Sequence, residues 1–145
     1  MIVPDVNVLV LAYDSRSPQH AEARSWWERT LNGPRPIGMP WTSLLGFIRI
    51  MTHPGIMANP MRVGDAVRRV RSWLAHPRVT VIQPGPGHAE TVFGLLERLG
   101  VGGNLTTDAH LAALAIEYQA ELVSTDTDFA RFPGLRWFNP LALKK

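Results

Sequence analysis

The sequence contains no cysteine among its 145 residues, and this absence excludes several kinds of chemistry. Without thiols the chain cannot build a disulfide scaffold, a thiolate nucleophile or a cysteine-based zinc site. A cysteine-free chain suits a reducing compartment, so we expect a cytoplasmic protein. Lysine is almost absent as well, because the only lysines are Lys144 and Lys145.

Long hydrophobic runs are also missing. The longest apolar stretch near the start, VNVLVLAY at residues 6–13, is far shorter than the ~20 residues that a membrane-spanning helix needs. No basic segment precedes this stretch, and Asp5 separates it from the apolar residues before it, so we expect neither membrane insertion nor a signal peptide. The formal net charge of +3 is only a slight indication of an anionic partner.

The composition is that of a folded domain. Hydrophobic residues make up 46% of the chain and charged residues 19%, which favours a globular protein over a disordered one. A chain of this length can bury a substantial core, and no repeat, linker or low-complexity segment interrupts it. We therefore expect one domain over residues 1–145.

Predicted strands and helices alternate along the chain. Short apolar runs predict strands within residues 1–7, 35–41, 78–84, 120–126 and 136–140. Helical periodicity appears within residues 15–32, 42–53, 59–77, 87–100 and 104–120. This alternation predicts an α/β fold, an α/β/α sandwich around a largely parallel central sheet.

Local signals predict where some helices begin and which faces they bury. Ser17 is the expected N-cap of the helix in residues 15–32, with Pro18 at its first position, and the helix in residues 42–53 should end before Pro54. The 3.6-residue period predicts two further inward faces. The first is Val63, Val67, Val70 and Leu74, and the second is Ala89, Val92, Phe93 and Leu96.

Several aspartates stand where an α/β sheet presents its binding edge. Asp5 follows the first predicted strand, and Asp126 follows the strand in residues 120–126. The crevice beyond the carboxyl ends of parallel strands is the usual ligand site of such sheets. Asp108 begins a helix whose alanine-rich packing face starts at Leu111, so its carboxylate should point toward the protein body. We expect these acids to converge at one end of the sheet.

Asp126 and Asp128 are separated only by Thr127. If extended backbone continues through them, their side chains project to the same side of the chain. At about 4 Å, two such charges repel by on the order of 4 kcal/mol at an effective dielectric near 20. A divalent cation would turn this repulsion into coordination, because Mg²⁺ and Mn²⁺ prefer carboxylate and water oxygens.

Each acid also has an ordinary structural interpretation, and the residues taken singly leave both open. Asp5 and Asp126 are suitable caps for the helices that follow them. Asp108 is favourable in the first turn of a helix, and Asp128 suits a turn before FARFPG. The shared site is the sharper hypothesis because these acids have no obvious basic partners nearby.

The chain resembles the PIN-domain ribonucleases, and more narrowly the VapC-type toxins of bacterial toxin–antitoxin pairs. The segments that carry the resemblance are PDVNVLVLAYD, FIRIMTHP, TDAHLAALA and LVSTDTDFARFPGLRWFNP, at residues 4–14, 47–54, 107–115 and 122–140. They span essentially the whole chain. The resemblance implies a metal-dependent endoribonuclease that uses Mg²⁺ or Mn²⁺, forms a homodimer, and is inhibited by a small cognate antitoxin.

The resemblance also implies roles for individual residues. It places the metal on three acids and adds one supporting acid and two polar residues to the same catalytic pocket. The metal-binding acids are Asp5, Asp108 and Asp126, the supporting acid is Asp128, and the polar residues are Asn7 and Ser124.

One position departs from the family pattern. Family members commonly carry a glutamate in the helix after the second strand, where this chain has Gly46 within SLLGFIRI. A missing ligand would weaken the metal site. The alternative hypothesis is therefore a catalytically weakened PIN domain that acts mainly by binding an antitoxin or RNA.

Arginines and tryptophans provide the remaining candidates. Arg49 is expected near the acids, where it could pair with a carboxylate or hold a phosphate, and Arg131 and Arg136 are expected to guide an RNA strand beside them. The arginines of residues 62–71 form either a solvated helix face or a contact for RNA or an acidic antitoxin. Trp26 and Trp27 are adjacent on a helix, so one of them is a candidate for a dimer interface.

Two other functional interpretations concern the histidines as metal ligands and the DTD segment as a phosphotransferase motif. The five histidines show no metal-ligand spacing, so none is assigned to a metal. The DTD at residues 126–128 also resembles an aspartyl-phosphate motif, which would make the chain a phosphotransferase. That chemistry normally places its D-x-D on an early strand with a lysine nearby, whereas Asp5 is followed by Val6 and Asn7.

Overall fold

A computed structural model describes residues 1–142 of the chain. Helices and strands follow the predicted order, except that residues 6–13, for which the sequence predicted no helix, form an additional one. In chain order they are β1 (Ile2–Pro4), α1 (Val6–Tyr13), α2 (His20–Asn32), β2 (Ile37–Pro40), α3 (Trp41–Met51), α4 (Val63–Leu74), β3 (Val79–Ile82), α5 (His88–Leu99), α6 (Leu105–Glu117), β4 (Glu121–Val123) and β5 (Arg136–Phe138). A short 3₁₀ helix, Thr127–Arg131, lies between β4 and β5.

The strands form one sheet in the order β3-β2-β1-β4-β5, and every neighbouring pair is parallel. Parallel strands require crossover connections, which the helices supply. Helices α1 to α4 pack over one face of the sheet and α5 and α6 over the other, each against its own apolar cluster. The predicted α/β/α sandwich is confirmed, with a fully parallel sheet.

The apolar run after Asp5 is helical. α1 buries Val8, Leu9 and Ala12, a set with helical spacing. Because α1 begins directly at the end of β1, the chain reverses within one residue. Asp5 is therefore held at the carboxyl-terminal edge of the sheet.

The predicted start of α2 is two residues too early. The helix begins at His20, and the Ser17 hydroxyl instead accepts a hydrogen bond from the Gln19 backbone N–H at 3.2 Å. A serine side chain can stabilise a turn as well as cap a helix, and here Ser17 stabilises the turn before α2. α3 ends at Met51, before Pro54, as predicted.

The predicted inward faces of α4 and α5 are partly wrong. In α4 the buried residues are Ala66, Val70 and Trp73, while Val63 and Leu74 are exposed. In α5 the buried residue is Leu95, while Phe93 is 55% exposed and Ala89 is also exposed. Both helices lie at the periphery, where small shifts in rotation decide which apolar side chains are covered.

Trp26 and Trp27 both belong to the core. They are 7% and 1% exposed, and their rings lie 5.7 Å apart between centroids. Trp27 also packs edge-on against Trp73, with 5.7 Å between ring centroids. The hypothesis that one of these tryptophans forms a dimer interface is therefore wrong. Among the described residues, no helix is long and apolar enough to cross a membrane.

Candidate active site

Asp5 stands directly after β1 and caps α1. Its Oδ1 accepts a hydrogen bond from the Val6 backbone N–H at 2.7 Å, and the Ser124 hydroxyl donates to its Oδ2 at 2.8 Å. Asn7 Nδ2 donates to the Ser124 hydroxyl at 3.0 Å and to Asp5 Oδ2 at 3.4 Å. The carboxylate thus caps the helix and is at the same time fixed by Ser124, just after β4, and by Asn7 on α1.

Ser124 is the centre of this hydrogen-bond network. It is fully buried, and its hydroxyl also accepts a hydrogen bond from the Asp126 backbone N–H at 3.0 Å. Its carbonyl accepts from Trp137 Nε1 at 3.0 Å, and its backbone N–H donates to the Phe138 carbonyl at 3.1 Å. Ser124 therefore links both aspartates to β5.

The DTD segment is not extended. β4 ends at Val123, and Asp126 caps the short 3₁₀ helix by accepting a hydrogen bond from the Asp128 backbone N–H at 2.9 Å. The expectation that extended backbone places the two side chains on one side is wrong. The carboxylates still come together, because the 3₁₀ turn brings Asp128 back beside Asp126.

Three carboxylates form a compact group at this edge. One oxygen from each of Asp108, Asp126 and Asp128 lies within 4.8 Å of the others. Asp108 comes from the first turn of α6, whose buried face includes Leu111 as predicted. Asp5 is outside this closest set, but its negative charge is one cause of the raised pKa of Asp108.

The electrostatics of the group disfavour full ionisation. Burial, followed by the charges of Asp126, Asp5 and Asp128, raises the pKa of Asp108 to about 6. Burial also raises the pKa of Asp5, and the charge of Asp126 adds to this effect against the opposing hydrogen bonds from Ser124 and Val6. Negative charge is therefore concentrated at the carboxyl-terminal edge of the sheet.

The predicted arginines differ in where they lie. Arg131 Nη1 is 4.0 Å from Asp128 Oδ1, so it does flank the acids. Arg49 is exposed in the last turn of α3 and forms no ion pair within residues 1–142. Arg136 is the first residue of β5, paired in register with Glu121 at the start of β4. Its expected place beside the acids is wrong, because it lies at the opposite end of the strands.

Gly46 faces α1 rather than open space. A Cβ atom at this position would lie 3.0 Å from Val6 Cγ2 and 3.4 Å from Val6 Cβ. The glycine therefore permits close packing of α3 against the first turn of α1, beside Asp5. This packing role accounts for the glycine, and the described residues give no support to the alternative of a weakened domain.

The arginines of α4 remain consistent with a solvated face. Arg68 pairs with Asp65 at 2.7 Å on the helix surface, and the Arg69 guanidinium lies 5.0 Å from the centre of the Tyr13 ring. These local contacts satisfy two of the arginines within the chain itself.

Two aromatic residues beside the site had no signal in the sequence. Trp137 and Phe138 reach Ser124 only through the register of β5 against β4. Strand register is a tertiary property, so the segment RWFNP predicted a strand without revealing what it touches.

Comparisons with known proteins agree with this geometry. Residues 2–135 match the PIN domain family. Ribonuclease VapC33 of Mycobacterium tuberculosis is 47% identical over 141 residues, covering 97% of this chain and 99% of that protein. Ribonuclease VapC37 of the same organism is 40% identical over 143 residues, covering 99% of each.

Solved structures share the fold at lower sequence identity. A chain of a toxin–antitoxin complex from Klebsiella pneumoniae superposes with a TM-score of 0.64 at 19% identity, covering 99% of this chain and all of that one (100%). The family match and the close relatives together cover nearly the whole sequence. The chain therefore belongs to the PIN-domain family, in the branch that holds the VapC ribonucleases.

Proposed function

We propose that this protein is a metal-dependent endoribonuclease and the toxin of a type II toxin–antitoxin pair, acting in the cytoplasm. The observation that carries the proposal is the group formed by Asp108, Asp126 and Asp128, with oxygens within 4.8 Å of one another beside Asp5. The relatives named ribonucleases support hydrolysis of RNA as the reaction. The toxin–antitoxin complex among the structural neighbours supports a small antitoxin as the partner.

The residues present fit a divalent cation. Within residues 1–142, no arginine or lysine forms an ion pair with Asp5, Asp108 or Asp126. The donor set consists of carboxylate oxygens, which suit Mg²⁺ and Mn²⁺ rather than softer metals. We assign Asp108 and Asp126 as direct or water-mediated ligands together with Asp5, and Asp128 as a supporting acid.

When bound, the cation would lower the pKa of an attacking water and stabilise charge on the phosphoryl oxygens. The protein supplies orientation. Ser124 and Asn7 hold the Asp5 carboxylate, and the Asp126 backbone is held by the same hydroxyl. Because the pKa of Asp108 is raised to about 6, cation binding near and below that pH would be linked to release of the Asp108 proton.

The test combines metal binding with cleavage. Purified protein should bind Mn²⁺ in a calorimetric titration and cleave a labelled RNA only when Mg²⁺ or Mn²⁺ is present. Asp126→Asn should lose both properties and keep its fold. Asp65→Asn, which removes an exposed acid on α4, is the matched control and should behave like the parent. Full cleavage in excess chelator would refute the proposal.

The substrate is expected to be a single-stranded loop of a structured RNA. Loops expose their bases and let the backbone adapt to a protein surface. Arg131, which lies beside Asp128, is available to hold a phosphate next to the acids. Cleavage should therefore favour RNA over DNA of matched sequence, and equal rates on both would contradict this choice of substrate.

We also propose a homodimer, formed through α3 rather than through α2. Trp41 and Leu45 lie one turn apart on α3 and are 44% and 57% exposed, whereas Trp26 and Trp27 are buried. Adjacent exposed apolar side chains on a small protein are typical of an interface. Leu45→Glu should shift sedimentation from dimer to monomer, while Ile56→Glu, at another exposed apolar residue, should not.

A further inference from the structure

β5 has two exposed side chains that lie outside the group of aspartates proposed to bind the metal. Arg136, its first residue, is exposed, and Phe138, its last, is 47% exposed. Side chains two apart on a strand project to the same face, about 6.6 Å apart at the backbone. β5 is the last strand in the sheet order, so this pair projects from one face of an edge strand, and within residues 1–142 no further strand pairs with β5.

Ser124 connects β5 to the aspartates through hydrogen bonds. The Phe138 carbonyl accepts a hydrogen bond from the Ser124 backbone N–H at 3.1 Å, and Ser124 binds Asp5 and the backbone of Asp126. Trp137, between the two exposed residues, donates from Nε1 to the Ser124 carbonyl at 3.0 Å. The exposed ring is therefore held on a fixed backbone within one residue of the network that orients the carboxylates.

Arg136 carries positive charge that no acid among the described residues neutralises in an ion pair. Within residues 1–142 it forms no ion pair, and Glu121, opposite it in register, pairs with Arg35 at 3.1 Å. Its Nη2 donates to the Gln119 carbonyl, which holds the guanidinium in place. The pKa of the Met1 amino group is lowered, first by burial and then by the positive charges of Arg35 and Arg136. These two arginines therefore make the surroundings of the Met1 amino group positive.

We propose that single-stranded RNA runs along the open edge of β5 toward the acid cluster, with a phosphate bound to Arg136 and a base stacked on Phe138. A fixed guanidinium recognises phosphate through paired N–H donors. Proteins that bind single strands combine positive charge with aromatic stacking surfaces in this way. The inference rests on the RNA substrate proposed above, but it concerns a surface outside the acid cluster.

A peptide strand is the competing occupant and fits this edge less well. β5 pairs over only three residues, so it offers few backbone groups to an added strand. The exposed arginine and the exposed ring also favour a ligand that carries both phosphates and bases.

The test measures RNA binding separately from cleavage. A fluorescein-labelled RNA stem–loop is titrated by anisotropy against the cleavage-deficient Asp126→Asn protein, alone and with each second substitution. Phe138→Leu should weaken binding about tenfold, because it removes the ring face, and Phe138→Trp should bind at least as tightly as Phe138. Arg136→Gln should reduce the slope of log affinity against log salt by about 0.7, the value for one phosphate contact with a single strand.

Matched controls lie elsewhere on the surface. Phe93→Leu removes an exposed ring from α5, and Arg24→Gln removes an exposed arginine from α2. Both should bind RNA as their parent does. In the cleavage-competent protein, Phe138→Leu should raise KM and leave kcat at saturating RNA unchanged. Thermal unfolding of each variant checks the fold. When RNA that carries 5-iodouridine is cross-linked by light to the protein without substitutions in β5, the cross-link should form at Phe138.

The outcomes separate this inference from the proposed function. If the parent neither binds nor cleaves RNA, the proposed function fails and this inference fails with it. If the parent cleaves RNA while Phe138→Leu and Arg136→Gln bind it normally, only the β5 surface is refuted. Loss of antitoxin binding with unchanged RNA binding would also refute it, since the edge would then serve a protein partner.

Discussion

At the scale of single residues, Ser124 determines the arrangement of the site. Its fully buried side chain forms hydrogen bonds with Asp5, Asn7 and the backbone of Asp126. The sequence resemblance implies that Ser124 lines the pocket, and in the structure its hydroxyl contacts the Asp5 carboxylate and the Asp126 N–H. A hydroxyl can donate and accept at once, and this position uses both capacities.

Ser124→Ala should therefore damage stability and activity together. The substitution leaves Asp5 Oδ2 with only the 3.4 Å hydrogen bond from Asn7 and removes the acceptor of the Asp126 N–H. Unsatisfied buried groups cost about 1–3 kcal/mol. It should also raise the pKa of Asp5 further, because the hydrogen bond from Ser124 lowers it. Urea unfolding and RNA cleavage test these effects, with Ser25→Ala on exposed α2 as the control. Unchanged unfolding and cleavage would contradict the role of this hydroxyl.

Gly46 should show energetic coupling to Val6. Alanine gains about 1 kcal/mol of helix propensity over glycine, but a Cβ here would lie 3.0 Å from Val6 Cγ2. Overpacking of this kind costs about 1–3 kcal/mol. We expect Gly46→Ala to be more favourable in a Val6→Ala background than in the parent, by about 1 kcal/mol. A double-mutant cycle of unfolding free energies measures this difference, and strict additivity would contradict the packing explanation.

Among the helices, α5 and α6 are joined by a hydrogen-bonded chain of side chains. Glu117 Oε2 lies 2.5 Å from His88 Nδ1, and His88 Nε2 lies 2.8 Å from His110 Nδ1. The second oxygen of Glu117 accepts a hydrogen bond from the Gly85 backbone N–H at 3.1 Å. This chain holds the start of α5 and the loop before it against α6, the helix that carries Asp108.

His88→Ala should loosen this contact. The half-buried Glu117 carboxylate would lose a partner, which costs about 1–3 kcal/mol for a buried group and less where solvent replaces it. Amide hydrogen exchange should increase in the first turn of α5 and in the preceding loop. His53→Ala, an exposed histidine that binds only Gly55 in its own turn, should leave exchange in α5 unchanged. Equal protection of α5 in both variants would contradict the proposed link.

The elements differ in how well the sequence predicts them. Strand ends at Asp5 and before Asp126 are predictable, because a buried apolar run stops at a polar residue in each case. The buried faces of α4 and α5 are not predictable in this way, because each helix has more apolar side chains than the protein buries. Arg136 was misplaced for another reason: a residue near the acids in sequence lies at the far end of β5 once the strand runs parallel to β4.

At the scale of the whole molecule, negative charge is gathered at one edge of the sheet, and Arg131 beside Asp128 is the ion-pair partner that the described residues provide there. Asp108, Asp126 and Asp128 meet there, and Asp5 adds to the field. Sequence position predicts this convergence, because carboxyl ends of parallel strands share one edge. The 3₁₀ turn that brings Asp128 to the cluster depends on backbone geometry that the segment DTD does not specify.

This concentration of charge should make the stability of the metal-free protein depend on pH. The folded-state pKa of Asp108 is about 6, above its ordinary value of 3.8, and the pKa of Asp5 is also raised. A raised carboxyl pKa gives a stabilising contribution that is complete below the unfolded pKa and is lost as pH rises through the folded pKa. In chelator, Asp108 should therefore make the protein less stable near neutral pH than near pH 4.

Asp108→Asn should remove this contribution and raise the stability of the metal-free protein at neutral pH. The gain should be on the order of 1 kcal/mol, because solvent screens a half-exposed carboxylate. The measurement is urea unfolding in chelator at several pH values between about 4 and 7.5, a range that spans both pKa values of the group, with Asp65→Asn as the surface control. Millimolar Mn²⁺ should stabilise the parent at neutral pH, since a ligand that binds only the folded state adds to its stability. Asp108→Asn should show a smaller response to Mn²⁺. If pH changes the unfolding free energy of the parent and of Asp108→Asn by the same amount, the electrostatic account is contradicted. If Mn²⁺ does not change the unfolding free energy of the parent, the cation site is contradicted.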